Sequence, residues 1–156
     1  MDRRVTGWLL VVAQVVLLVA LVLAPAGTLW PTPPWLVGVS WALSLAGVAW
    51  ALWAAVRLGD RLTPTPVPRD GGALRTAGPY AHVRHPIYTG VLLIVVGITL
   101  RTGSAVGLAL AAVTVGFFHA KAGFEERLLH DRFPGYDRYA AATPRFVPRP
   151  WRARGG

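Results

Sequence analysis

Residues 84–90 read Arg-His-Pro-Ile-Tyr-Thr-Gly, and they begin an apolar hairpin that ends at an acidic pair. Four parts follow in chain order: an apolar run, a turn, a second apolar run and an acidic pair, at residues 87–100, 101–104, 105–120 and 125–126. If both runs are helices in a bilayer, this hairpin returns the acidic pair to the side of the membrane it left. Charges beside a hydrocarbon layer are costly unless they are paired or solvated. Arg84, His85, Glu125 and Glu126 are therefore candidates for function.

The composition is typical of an integral membrane protein. Of the 156 residues, 54% are hydrophobic and 15% are charged, and the mean hydropathy is +0.47. Few soluble domains of this size could bury so much apolar surface. Two more apolar stretches, at 8–23 and 35–56, precede the hairpin. The sequence therefore predicts an all-α polytopic membrane protein with about four transmembrane helices in two hairpins, followed by a cytoplasmic helical segment.

The third apolar run is short for a transmembrane helix. It has 14 residues, whereas a span needs about 20. To cross a bilayer it must extend through Pro86 and Arg101, tilt little, or lie where partner helices thin the membrane. We expect the fourth helix to continue to Arg132 and a further short helix to cover Tyr136–Ala142.

The chain is interpreted as one membrane-embedded domain with three parts. These are an N-terminal helical hairpin at 1–56, a core that carries the chemistry at 57–148 and a flexible tail at 149–156. The first apolar run with Arg3-Arg4 and Ala24-Pro25-Ala26 imitates a cleaved signal peptide. Its core of 16 residues is slightly long for one, so we interpret it as a retained first span.

The basic residues give the orientation. Of the 16 Lys and Arg residues, Arg101 alone falls in a segment between spans on the side opposite the rest. The positive-inside rule then places both termini and the central loop in the cytoplasm. The Ala-, Val-, Leu-, Gly- and Arg-rich composition is typical of a GC-rich bacterial genome, so the expected location is a bacterial inner membrane. The net charge of +9 is interpreted as topology plus attraction to anionic lipid headgroups, and nucleic acid is not an expected partner.

Several classes of site find no support in the sequence. The chain has no cysteine, which excludes a disulfide framework and a cysteine nucleophile. Its four histidines show no H-E-x-x-H pattern, so we expect no metal site. Neither a G-x-G-x-x-G nor a G-x-x-x-x-G-K-[ST] motif is present, and no Ser–His–Asp arrangement is supported.

The cytoplasmic side offers a different set of groups. Arg84 and His85 can donate to a carboxylate or a phosphate. Tyrosines at 80 and 88 supply aromatic faces and hydroxyls, and Gly90 lets a ligand or a helix approach the backbone. The acidic pair can accept hydrogen bonds from ribose hydroxyls or from a ligand ammonium. A zwitterionic cation that carries a nucleoside would use all of these groups together.

Five short motifs stand in order along residues 64–148. They are Gly78-Pro79-Tyr80, Arg84-His85-Pro86-x-Tyr88-x-Gly90, Glu125-Glu126, Phe133-x-Gly135-Tyr136-x-x-Tyr139 and Pro144-Arg145-Phe146-Val147-Pro148. Together they resemble the isoprenylcysteine carboxyl methyltransferase family, which is grouped with the phospholipid methyltransferases. The first two spans match that family only as hydrophobic helices. The resemblance implies an integral membrane enzyme that uses S-adenosylmethionine and releases S-adenosylhomocysteine.

The resemblance also implies roles for individual residues. The cofactor-binding set is Tyr80, His85, Tyr88, Gly90, Glu125, Glu126, Tyr136 and Tyr139. Catalytic roles fall to Arg84, Glu125 and Arg145, and which residue acts as a general base stays open. Tyr136, Tyr139 and Arg145 would close the cytoplasmic side of the pocket. The implied partners are membrane lipids and a lipophilic or lipid-linked substrate, and the oligomeric state is not predicted.

The identity of the methyl acceptor stays open at this stage. The resemblance favours an isoprenylcysteine-like carboxylate, with a phospholipid amine, a small thiol or a polyketide- or quinone-like acceptor as alternatives. A nicotinamide-dependent membrane reductase is a further hypothesis, with Arg69, Arg75 and Arg84 available for a 2′-phosphate. A non-catalytic membrane scaffold is the last. The chain lacks the extra N-terminal spans of the eukaryotic prenylcysteine enzymes.

Overall fold

The computed structural model describes residues 2–59 and 74–149. This part of the chain forms five α-helices and one 3-10 turn. The helices are α1 (Arg3–Val22), α2 (Pro34–Leu58), α3 (Pro86–Thr102), α4 (Ala105–Arg132) and α5 (Tyr136–Ala142), and the 3-10 turn is Gly78–Ala81. The all-α prediction is confirmed for these residues, which contain no strand. Apart from Arg149, the tail expected to be flexible lies outside the described residues, as does Arg69.

Among the described residues, three helices are long and apolar enough to cross a membrane. They are α1, over Val5–Val22, α2 and α4. The helix α3 extends through Pro86 and Arg101, as a span would require, and reaches 17 residues. At 1.5 Å per residue this is about 26 Å, just below the thickness of the hydrocarbon core. Its crossing of the membrane stays a prediction.

The helix boundaries follow from local sequence signals. Proline occupies the first turn of both α2 and α3, where its missing N–H costs no intrahelical hydrogen bond. Ser104 caps α4 by accepting a hydrogen bond from the backbone N–H of Gly107 at 3.3 Å. Gly103 ends α3 with φ at +56°, a left-handed conformation that glycine adopts without steric cost. Helices α3 and α4 are therefore joined by a tight turn.

The most extensive helix contact is between α2 and α3. Small residues let the two backbones approach, because a Cβ at Gly90 would lie 2.5 Å from the carbonyl oxygen of Gly47. Ser40 and Ser44 also belong to this surface, and each hydroxyl donates to a carbonyl one turn earlier in its own helix. Close packing of this kind holds helices together in lipid, where apolar burial gives little driving force.

Helices α1 and α2 make their main contacts with different parts of the bundle. Helix α1 contacts α4 and α3, whereas α2 packs on α3. A buried cluster of Leu21, Val95, Ile98 and Ala111 joins α1, α3 and α4. The small-residue surface of α2 therefore faces α3, and the arrangement of α1 and α2 as a hairpin stays a prediction.

Both short loops meet at one end of the bundle. The backbone N–H groups of Gly27 and Leu29 donate to the carbonyls of Thr102 and Gly103, each at 2.8 Å. The indole N–H of Trp30 donates to the carbonyl of Leu100 at 3.0 Å. The start of α3 and the last turns of α4 therefore lie together at the opposite end, where the candidate site is found. The assignment of that end to the cytoplasm stays a prediction.

Candidate functional site

The segment before α3 is held by backbone hydrogen bonds to the segment after α5. The N–H of Arg84 donates to the carbonyl of Pro144 at 2.8 Å, and that of His85 to Arg145 at 3.1 Å. The hydroxyl of Thr89 extends this contact by donating to the carbonyl of Phe146 at 2.8 Å. Residues 144–146 are thus laid along the N-terminus of α3, although they are about 60 residues away in sequence.

His85 joins the two glutamates. Its Nδ1 lies 3.3 Å from Oε2 of Glu125, and its Nε2 lies 3.1 Å from Oε1 of Glu126. The imidazole is almost fully buried. Burial alone would lower the pKa of His85, but the hydrogen bonds that its ring donates to the two carboxylates outweigh this effect, and the pKa is raised. An imidazolium that donates from both nitrogens fits this arrangement.

Glu126 is surrounded by positive charge. Nε and Nη2 of Arg145 donate to its two carboxylate oxygens at 2.9 and 2.5 Å, a bidentate geometry. Nε of Arg84 lies 3.2 Å from Oε1, while Nη1 of the same side chain donates to the carbonyl of Ala140 at 2.8 Å. The hydrogen bond with Glu126 also raises the pKa of Arg145. One carboxylate therefore links α4 to the start of α3 and to the C-terminal segment.

Tyr88 connects the charged cluster to the apolar interior. Its hydroxyl donates to Glu125, and its ring is stacked on His85 with centroids 5.4 Å apart. On the interior side, the ring packs against the fully buried Phe118 at 4.9 Å between centroids. The charged side chains of the site are thus followed by aromatic and then by apolar side chains towards the interior of the bundle.

Three further tyrosines cover the same end. The hydroxyl of Tyr139 donates to the carbonyl of Tyr80 at 2.6 Å, and burial raises the pKa of Tyr139 to about 12. The hydroxyl of Tyr136 is buried and finds no hydrogen-bond partner among the residues that the structure describes. A buried hydroxyl without a partner is costly. The hydroxyl of Tyr136 also interacts electrostatically with Glu126, Arg84 and Arg145.

The arrangement has a definite chemical capacity. Guanidinium and imidazolium groups can hold a carboxylate, while glutamates can accept from an ammonium or from vicinal hydroxyls. Both kinds of group lie within hydrogen-bond distance of each other, beside an aromatic face that attracts cations. A ligand that carries charges of both signs could exchange with these internal pairs.

Comparison with known proteins identifies the family. A family profile described as phospholipid methyltransferase matches residues 35–135, which is more than half of the chain. The chain belongs to the phospholipid methyltransferase family. The match runs from α2 to the end of α4 and so includes Arg84, His85 and the glutamate pair. Tyr136, Tyr139 and Arg145 lie beyond the matched region, and the structure connects them to it.

Two curated relatives extend the comparison. The chain is 34% identical over 120 residues to the cobalt-zinc-cadmium resistance protein CzcN of Cupriavidus metallidurans. It is 31% identical over 120 residues to the nickel-cobalt-cadmium resistance protein NccN of Alcaligenes xylosoxydans xylosoxydans. Each alignment covers 74% of this chain and 52% or 53% of the relative. The chain therefore spans about half the length of the curated relatives that it matches.

The structure brings together most of the residues that the sequence singled out. Arg84, His85, Tyr88 and Arg145 meet the glutamate pair directly, and the other three tyrosines surround them. Gly90 is different, because a Cβ there would meet Gly47 and Ala51 of α2. Of the two uses foreseen for this glycine, close approach of a helix is the one observed. The cofactor and catalytic roles of all these residues stay predictions.

Sequence reasoning missed Lys121. Its Nζ donates to Oε1 of Gln14 at 2.6 Å, which joins α4 to α1. Lys121 is the only lysine in the chain and follows an uncharged run of 19 residues, 102–120. That isolation was a signal, since an ionisable residue at the end of a span is a functional candidate.

Proposed function

We propose that the chain is an S-adenosylmethionine-dependent integral membrane methyltransferase that acts on a lipophilic acceptor at the cytoplasmic face. Family membership supports a membrane methyltransferase. The observation that carries the finer proposal is the convergence of His85, Tyr88 and the two glutamates with Arg84 and Arg145. These groups come from three separate parts of the chain, and anchoring a helix to lipid headgroups would not require them to meet.

The residues present fit the chemistry of the cofactor. Its amino-acid end carries a carboxylate, for which Arg84 and Arg145 are suitable partners. Glu125 and Glu126 suit its ammonium or its ribose hydroxyls. The unpartnered hydroxyl of Tyr136 is a further polar group in the same cluster that a ligand could satisfy.

When bound, S-adenosylmethionine supplies an already activated methyl group. The chain's own residues then have to bind and orient, which explains why a cluster without an obvious acid–base pair is sufficient. A carboxylate acceptor would need no general base, whereas an amine or a thiol must lose a proton first. The apolar side of Tyr88, towards Phe118, is where we place the acceptor, which would arrive laterally from the bilayer.

The names of the two relatives raise metal binding as another activity. Among residues 2–59 and 74–149, no three His, Asp or Glu side chains are grouped so as to hold a metal ion. His85, Glu125 and Glu126 do lie together, but two guanidinium groups already neutralise Glu126 and would repel a metal cation. We therefore propose methyl transfer as the activity of this cluster, whatever process the reaction serves in the cell.

Titration of the detergent-solubilised protein with S-adenosylhomocysteine tests the proposal. We expect binding in the wild type and a loss of about tenfold or more in His85→Ala and in Glu125→Ala, since each removes a charged hydrogen bond. Asp137→Asn is the matched control, because this carboxylate is 73% exposed and its partner among the described residues is the exposed His130. No binding at millimolar ligand, or wild-type affinity in both site variants, would refute the assignment. Preferential binding of a nicotinamide nucleotide would instead favour a reductase.

A further inference from the structure

Lys121 carries a buried positive charge beside the cluster but outside it. The residue is only 4% exposed. Its Nζ contacts Oε1 of Gln14 at 2.6 Å and lies 5.1 Å from the centroid of the Tyr88 ring. It thus belongs to the contact between α4 and α1 and touches the site from the interior side.

The contacts of this ammonium leave it under-compensated. A lysine has three N–H donors, and the side chain of Gln14 accepts one of them. Among residues 2–59 and 74–149, no carboxylate forms an ion pair with Lys121, although the charge of Glu125, one turn further along α4, attracts it without contact. An amide oxygen and an aromatic face are neutral partners, and burial of a cation without an anion is costly. The surroundings of Nζ are therefore suited to an anion.

Lys121 lies at a defined depth. It precedes Glu125 by four residues on α4, which places its Cα about 6 Å further from the polar end of the helix. Tyr88 lies between the two levels, with its hydroxyl on Glu125 and its ring against Lys121. An amphiphile whose chain lies in the apolar interior would therefore place its headgroup at the depth of Lys121 before it reached Glu125.

Access to Lys121 is controlled by α1. Only 11% of the α1 span is buried within the protein, against 33% for α4, so α1 is held by a limited contact. Gln14 supplies the polar part of that contact. A charged oxygen forms a stronger hydrogen bond with an ammonium than a neutral amide oxygen does. An anionic headgroup could therefore replace the side chain of Gln14 without a large rearrangement of the bundle.

We propose that Lys121 binds the anionic group of an amphiphile, a carboxylate or phosphate on an apolar chain, which replaces the side-chain oxygen of Gln14 between α1 and α4. The link to catalysis rests on the proposed function, since the amphiphile would be the methyl acceptor or carry it. The positive charge at this depth favours an anionic acceptor over a cationic amine. The binding itself can be measured without methyl transfer.

The test compares matched amphiphiles on the full-length protein in neutral detergent. The probes are the fluorescent fatty acid cis-parinaric acid, the alcohol with the same polyene chain, and an alkyl phosphate as a competitor. We expect the wild type to bind the acid about tenfold more tightly than the alcohol, the value of one charge-assisted hydrogen bond. Displacement of the acid by the alkyl phosphate would show that either anionic headgroup is accepted.

Variants assign the preference to Lys121. Lys121→Met should bind acid and alcohol equally, while Lys121→Arg should keep the preference. Gln14→Leu should keep or increase it, because the competing oxygen is gone. Arg127→Met is the matched control, as it removes an exposed positive charge from the same end of α4 and should leave the preference unchanged.

Two results would overturn the proposal. One is equal binding of acid and alcohol by the wild type, and the other is a preference that survives in Lys121→Met. If Lys121→Met does not fold, loss of the preference in both Lys121→Arg and Gln14→Leu would overturn the proposal instead. S-adenosylhomocysteine binding measured on the same samples separates the two proposals. Its absence in the wild type refutes the cofactor site and leaves the anion result standing.

Discussion

Replacement of Glu126 by glutamine should destabilise the end of the bundle that carries the site. The carboxylate accepts a bidentate pair from Arg145, meets Nε2 of His85 at 3.1 Å and lies 3.2 Å from Nε of Arg84. Glutamine has nearly the same shape but keeps one acceptor oxygen and places an NH₂ group where the second oxygen was. It therefore removes the charge and turns one attractive contact into a contact between two donors.

The size of the effect follows from what each partner retains. Arg145 is the most exposed of the three, with 33% of its side chain accessible, so water can replace much of its interaction. Arg84 keeps its hydrogen bond to Ala140, and His85 keeps Glu125. Each lost hydrogen bond to a charged group is worth about 1.5–3 kcal/mol. With one bond largely lost and others weakened, we expect the free energy of unfolding to fall by about 3 kcal/mol.

The assay is reversible unfolding in mixed micelles, followed by tryptophan fluorescence. Glu125→Gln is the graded comparison, because Glu125 meets His85 and Tyr88 but no guanidinium group among the described residues. It should cost about 1 kcal/mol, the value of a typical hydrogen bond. Asp137→Asn should change stability by less than about 0.5 kcal/mol, as expected for an exposed pair. If Glu126→Gln were no more destabilising than Glu125→Gln, the view of Glu126 as the link between three segments would be wrong.

Three further predictions follow from packing, from protonation and from the cover of the site. Gly90→Val should destabilise by about 2–3 kcal/mol or prevent folding, because even a Cβ would lie 2.5 Å from a carbonyl oxygen of α2; Gly116→Ala, which faces open space, should leave the unfolding midpoint unchanged or raised. The pKa of His85 is raised in the folded protein, so its stabilisation is complete below its unfolded value of about 6.5 and is lost as the pH rises through the folded value. Melting temperatures measured from about pH 6 to pH 9 should therefore fall in the wild type and fall less in His85→Gln; an equal decline in both would contradict this assignment. Tyr139→Phe removes the hydroxyl that donates to the carbonyl of Tyr80 at 2.6 Å and should cost about 1 kcal/mol in the same unfolding assay, whereas no change would show that water replaces this bond freely.

Secondary structure was the more predictable part of this protein. Apolar runs, prolines in first turns and a Gly-Ser turn are local signals, so the short helix at Tyr136–Ala142 and the extension of α4 to Arg132 were both predicted and are confirmed. The pairing of helices was less predictable. The small residues of α2 allow close packing on any neighbour, and nothing in the local sequence distinguishes α3 from α1 as that neighbour.

The candidate site was predicted as a set of residues but not as a set of contacts. The motifs named Arg84, Glu126 and Arg145, yet their spacing does not reveal that one carboxylate joins all three segments. Lys121 shows the same limit. Its isolation in sequence marks it as unusual, but its partner Gln14 is 107 residues away on α1.

By itself, the sequence determined that this chain is helical, apolar enough for a membrane, and equipped with basic, aromatic and acidic groups next to one hairpin. These properties depend on hydrophobicity and on the backbone preferences of residues that are close together in the sequence. Only the tertiary structure decided that residues 144–146 lie along the start of α3, that Gly90 serves helix packing and that Lys121 turns towards α1. Those outcomes depend on which surfaces fit when distant segments meet, because the free energy of close packing and of charge pairing belongs to pairs of residues rather than to any one stretch.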